Sequence, residues 1–121
     1  MTTLLIIDDS RVARMLLRAF VLERRPEMVV LEAANADEAL ARAAETPDID
    51  LVSIDYSMPG VDGLQLAEQL QPLLPGARKV LMTANIQESI RSRAGALGID
   101  FVAKPITEVS VDAMLALLDV K

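Results

Sequence analysis

The 121 residues suit one domain with one sizeable core, and the absence of cysteine and histidine excludes disulfides, thiolate or imidazole metal sites and histidine-based catalysis. Lys and Arg total 12 against 18 Asp and Glu, a formal net charge of −6, and aromatics are 2%, so neither a basic nucleic-acid face nor a base-stacking platform is expected. No apolar run reaches the roughly 18 residues of a membrane span, and Met1-Thr2-Thr3 lacks the start of a signal peptide, which leaves a soluble, acidic, cytoplasmic domain as the expectation.

Leu4 to Ile7 is a compact apolar run that reads as a buried strand. Ser10 is placed to cap a helix from Arg11 to Glu23, with Val12, Met15, Leu16, Ala19 and Phe20 at helical spacing. Met28 to Leu31 is a second strand. Asn35 and Glu38 form a capping-box pattern for a helix that ends after Glu45, before Pro47. Leu51 to Ile54 is a third strand, and Gly63 to Leu70 a helix ended by Pro72 and the Pro75-Gly76 pair. Val80 to Met82 is a fourth strand. Asn85 with Glu88 repeats the capping pattern, and Ile86, Ile90, Ala94 and Leu97 share one helical face. Ile99 to Val102 is a fifth strand, and Thr107 caps a last helix running to about Asp119.

Strict alternation of strands apolar on both faces with crossover helices implies a parallel sheet covered on both sides. Right-handed crossovers leave it open and doubly wound, an α/β architecture filling residues 1–121 as one domain. Such sheets bind ligands beyond the carboxyl ends of their strands. There the sequence puts Asp8 and Asp9 after the first strand, Asp55 after the third, Thr83 after the fourth and Lys104 after the fifth, and only Glu32 after the second. Singly each has an ordinary explanation: acids favour helix N-termini, and lysines are usually solvated. Those explanations do not predict that all would share one rim. Carboxylates crowded together stay ionised beside a cation, and Mg²⁺ suits such an oxygen site. A carboxylate can itself take a phosphoryl group as an aspartyl phosphate, a transfer that needs little beyond in-line positioning and surrounding cations.

The spread of Asp8-Asp9, Asp55, Thr83 and Lys104-Pro105 resembles the receiver domains of two-component response regulators. So do Ile54-Asp55-Tyr56-Ser57-Met58-Pro59-Gly60-Val61-Asp62-Gly63 and the Gly95-Ala96 pair before Phe101-Val102-Ala103-Lys104-Pro105. The resemblance runs from Leu4 to the end. It implies a flavodoxin-like, chemotaxis-regulator-like sheet in strand order 2-1-3-4-5 with five helices. It implies a phosphoprotein that takes its phosphoryl group on Asp55 from a histidine kinase or histidine phosphotransfer protein. Asp9, the Asp55 carboxylate and the Ser57 carbonyl would ligate Mg²⁺, with Asp8 acting mainly through metal-bound water. Lys104 and Thr83 would hold the phosphoryl group, with the small Ala84 leaving room for the donor. Thr83 and Phe101 would form the switch, and the Lys104-Pro105 bond is usually cis in the family. Such a protein is not an enzyme beyond catalysing its own phosphorylation and dephosphorylation.

Two alternatives come from other classes. A phosphorylation-independent pseudo-receiver, a pure interaction module, would have lost an acid or the lysine, and none is lost. A haloacid-dehalogenase-type phosphatase would carry Asp-x-Asp after its first strand, where Asp8-Asp9 stands. No output domain follows, so a stand-alone regulator or a receiver separated from a longer protein is expected, acting on a downstream protein or a fused output domain. In the last helix Val111, Met114, Leu115 and Leu118 should face the sheet. Val109, Ala113, Ala116 and Val120 should face outward as an interface for a partner or a homodimer, with Gln87, Glu88, Arg91 and Arg93 as a polar rim nearby.

Overall fold

The structure, a computed structural model, describes residues 2–119. In chain order it has β1 (Thr3–Ile7), α1 (Arg11–Arg24), β2 (Val29–Ala33), α2 (Ala36–Glu45), β3 (Leu51–Ile54), α3 (Gly63–Leu70), β4 (Arg78–Thr83), α4 (Glu88–Ala96), β5 (Asp100–Ala103) and α5 (Glu108–Ala116), then a 3-10 turn, Leu117–Asp119. The strands pair in parallel in the order β2-β1-β3-β4-β5, as expected. Alternate residues of β1 serve two cores. Leu5 and Ile7 pack with α2, α3 and α4, and Leu4 and Ile6 pack with Leu17 and Val21 of α1 and Val111, Met114 and Leu115 of α5. No helix among the described residues is long and apolar enough to cross a membrane.

The caps explain most helix starts. Ser10, Asn35, Asp62 and Thr107 each accept a backbone N–H with the side chain, and Asp62 and Thr107 complete capping boxes with Gln65 and Ser110. α4 differs from expectation. Its N-cap is Gln87, which makes no side-chain cap bond. Asn85 instead folds back locally, its Oδ1 accepting the Gln87 N–H at 3.3 Å, an Asx turn that competes with capping. Only Ile90 and Ala94 of the expected face are buried; Ile86 and Leu97 lie beyond the helix ends, and both are exposed.

The expected apolar stripe of α1 is also corrected. Leu17 and Val21 enter the core, whereas Val12, Met15 and Leu16 face solvent, Val12 at 74% exposure. α1 is tied to α5 by charge: Arg24 pairs with Asp112 and, at 3.7 Å, with Glu108, while Arg25 reaches Asp119 at 3.7 Å. The charges flanking α5 are thus turned toward α1. Val111, Met114 and Leu115 are buried as expected and Leu118 is half-buried; Val109, Ala113 and Ala116 are exposed, and Val120 lies outside the described residues. The last helix is α-helical only to Ala116, then tightens into the 3-10 turn.

At the opposite end of the sheet from the acids, Lys79 is buried. Its ammonium donates to Gln71 Oε1 (2.8 Å), the Leu74 carbonyl (2.9 Å) and the Ala77 carbonyl (3.2 Å), closing the α3–β4 turn, and burial pushes its pKa down.

Candidate functional site

The carboxyl ends of β1, β3 and β5 each extend their ladder by one bond. The Asp8 N–H donates to the Ala33 carbonyl (3.1 Å), the Asp55 N–H to Ile7 (2.9 Å) and the Lys104 N–H to Thr83 (2.9 Å). Asp8, Asp55 and Lys104 therefore each sit one step past a strand, with the backbone held by the neighbouring strand, and Thr83 is the last residue of β4. The sheet register, not loop conformation, sets the spacing of the site.

Asp8, Asp9 and Asp55 offer carboxylate oxygens that all lie within 4.8 Å of one another. Asp8 and Asp55 are buried, at 5% and 7% exposure, and Asp9 is exposed. The Lys104 ammonium lies 2.8 Å from Asp8 Oδ2 and 3.7 Å from Asp55 Oδ1. Lys104 is therefore paired, contrary to the usual solvated lysine. The Asp55 carboxyl is held above the usual carboxylate range. Burial is the first cause and the charge of Asp8 the second; the Lys104 ammonium and the Thr83 hydroxyl oppose them, and Asp9 adds a smaller push. Oxygen-only donors of this charge fit a hard divalent cation.

Thr83 is buried at the end of β4, and its Oγ1 accepts the Asn85 N–H at 3.2 Å. Ala84 beside it is exposed, as is Ser57, two residues past Asp55. The Lys104-Pro105 bond is cis. Phe101 is half-buried on β5, with the Arg91 guanidinium carbon 5.0 Å from its ring centroid. The loop after Asp55 turns at Gly60, whose φ of +89° favours glycine, and closes at Gly63. A Cβ at Gly63 would lie 2.4 Å from the Asp55 carbonyl oxygen, so only glycine lets α3 start this close to the site. Glu32, the acid expected at the second rim position, is still inside β2 and pairs with Arg14 (3.1 Å) and Arg18 (3.5 Å).

Sequence reasoning missed Arg14. Its Nη1 donates to the Asp8 carbonyl at 2.6 Å while Nε holds Glu32, so it braces the acidic loop from α1. The signal was available: the first turn of α1 contains no acid, although acids are favoured there.

The model of the response regulator receiver domain matches residues 4–116. The chain belongs to that family. It is 38% identical over 107 residues to the cyclic di-GMP phosphodiesterase response regulator RpfG of Xanthomonas campestris, covering 85% of this receiver and 28% of that protein. It is 34% identical over 106 residues to the chemotaxis protein CheY of Listeria monocytogenes, covering 87% of each. A solved response regulator from Burkholderia pseudomallei, with a phosphorylated aspartic acid, calcium ion and citrate, superposes with a TM-score of 0.81 at 32% identity, over 95% of this receiver and 66% of that chain. The receiver spans less than half the length of the first curated relatives it matches.

Proposed function

We propose that this receiver is a cytoplasmic signalling phosphoacceptor that takes a phosphoryl group onto Asp55 from a phosphohistidine on a kinase or phosphotransfer protein. The observation that carries the reading is the convergence of three carboxylates, one ammonium and one hydroxyl on a single sheet rim. These 121 residues contain no histidine, so a donor phosphohistidine would lie outside them. An Asp55 oxygen attacks phosphorus, the P–N bond to the donor imidazole breaks, and the imidazole nitrogen keeps the electron pair and takes a proton from solvent. Water attack on phosphorus later restores the carboxylate and releases phosphate.

Asp9, the Asp55 carboxylate and the Ser57 carbonyl would hold Mg²⁺, with Asp8 acting mainly through metal-bound water. The bound cation would neutralise charge on the phosphoryl oxygens. Lys104, already between Asp8 and Asp55, needs only a small shift of its ammonium to take a phosphoryl oxygen. The Thr83 hydroxyl would turn its proton toward the same group, and the exposed Ala84 leaves the donor a path. The exposed Val12, Met15 and Leu16 on α1, just past Asp9, support a protein donor docking there. Movement of Thr83 and Phe101 would carry the signal to the α4–β5–α5 surface. There the outward strip of α5, with Val109 at 79% exposure, would meet a downstream protein, an output domain or a second copy.

Intact mass after incubation with acetyl phosphate and Mg²⁺ tests the reading. The native chain should gain roughly 80 Da, one phosphoryl group, and Asp55→Asn should gain nothing. Full labelling of Asp55→Asn would exclude Asp55 as the acceptor.

A further inference from the structure

Among the α-helices of the described residues, α4 is set apart by its start. It has no side-chain N-cap bond, and only Ile90 and Ala94 are buried. Two arginines supply its other attachments. Arg93 reaches Asp62, the N-cap of α3, at 3.3 Å. Arg91 lies over the Phe101 ring at 5.0 Å and, among the described residues, pairs with no carboxylate. A guanidinium with no anionic partner placed over an aromatic face is held there by the ring quadrupole and by its own stem packing on the ring. Phe101 pairs in register with Leu81 of β4, two residues before Thr83, and packs against the core cluster that includes Leu81 and, from α4, Ile90 and Ala94.

We infer that Arg91 is a latch: it holds the Phe101 ring against α4 in the unphosphorylated receiver and so weights the resting state. The inference rests on the reading above that Phe101 moves when Asp55 is phosphorylated. Arg91 touches no reacting atom and is a positioning residue. Removing its charge should raise the population of the active ring environment roughly two- to five-fold, the range of an exposed cation–π contact. Arg91→Lys keeps a cation on a flexible stem and should restore most of the native ratio, whereas Arg91→Met keeps only the stem.

The test uses NMR of the full chain labelled with ring-¹³C phenylalanine. The chain has two phenylalanines, so Phe20→Leu assigns both signals. Native protein is compared with and without Mg²⁺ and beryllofluoride, a phosphoryl mimic, and then with Arg91→Met and Arg91→Lys without the mimic. The expected result is that the mimic moves the Phe101 signals and leaves Phe20 in place. Arg91→Met alone should move Phe101 part of the way in the same direction, and Arg91→Lys should return it. If the mimic leaves native Phe101 unmoved, Phe101 is not the switch and the latch falls with that reading. If the mimic moves it but Arg91→Met does not, or moves it in another direction, the switch stands and the latch is refuted.

Discussion

Replacing Asp55, the proposed acceptor, should stabilise the metal-free fold. Asp55 and Asp8 place carboxylate oxygens within 4.8 Å, a repulsion of about 3 kcal/mol at an effective dielectric of about 20. The attraction of Asp55 to Lys104 at 3.7 Å is of similar size, about 4 kcal/mol on the same scale. These nearly cancel, and the exposed Asp9 is screened by water. What remains is the cost of burying the Asp55 charge, the leading cause of its raised pKa. Asp55→Asn removes that charge and leaves Lys104 paired with Asp8 at 2.8 Å. A gain on the order of 1 kcal/mol is expected, the lower end of the cost of burying an imperfectly compensated polar group, or about 4 °C in Tm for a domain of this size. The sign is set by proton linkage. Between the ordinary carboxyl pKa of 3.8 and the raised folded value, the native state keeps a proton that the unfolded chain has released. Native stability therefore falls as pH rises through that window, and the full penalty is present at neutral pH. Thermal melts by circular dichroism in EDTA at pH 7 should show the variant melting higher, with the advantage shrinking as pH falls through the window. Mg²⁺ at ten times its Kd should add about 1.4 kcal/mol to the native chain and less to the variant. A variant that melts at or below the native temperature in EDTA at pH 7 would refute the charge accounting.

Three further perturbations probe the same rim and its surroundings. Lys104→Ala should raise Mg²⁺ affinity or leave it intact while weakening phosphorylation, because the ammonium competes with metal for Asp8 and Asp55; Tyr56, the one tyrosine in a chain without tryptophan, is the fluorescence probe, and a large loss of affinity contradicts this. Gly63→Ala should cost about 2 kcal/mol or more and slow labelling of Asp55, because its Cβ meets the Asp55 carbonyl at 2.4 Å; Gly76→Ala, with open space around it, is the control in the same urea titration. Ala113→Glu with Ala116→Arg should leave the fold and Asp55 labelling unchanged but abolish any self-association that beryllofluoride induces, read by sedimentation velocity. A native chain that stays monomeric with the mimic would remove the homodimer from the uses of that strip.

The strands were legible because a parallel strand buried on both faces is a short continuous apolar run with no register to misread, as in Leu4–Ile7 and Leu51–Ile54. The site was legible for a related reason. In this architecture the residue after each such run lands on one rim, so finding the strands finds Asp8, Asp55 and Lys104. Helix faces were harder. α1 has apolar residues around most of its circumference, and helical spacing alone picked Val12, Met15 and Leu16 where Leu17 and Val21 are the ones buried. Periodicity identifies a stripe but not which stripe the sheet covers, and a helix that also presents an apolar outer surface defeats it. α4 failed differently. The Asn85-x-x-Glu88 pattern has the spacing of a capping box, but Asn85 is engaged in its own Asx turn after Thr83, so the helix starts later and Ile86 is left at 62% exposure. Least legible were contacts that depend on two distant elements meeting: Arg14 on the Asp8 carbonyl, Lys79 in the α3–β4 turn and Arg91 on Phe101. Each joins a long cationic side chain to a carbonyl or a ring, and neither partner carries a complementary charge for a sequence pattern to reveal. Arg14 holds the acidic loop and Arg91 the Phe101 ring, whereas Lys79 closes the far end of the sheet, so the switch proposed above would draw on the first two.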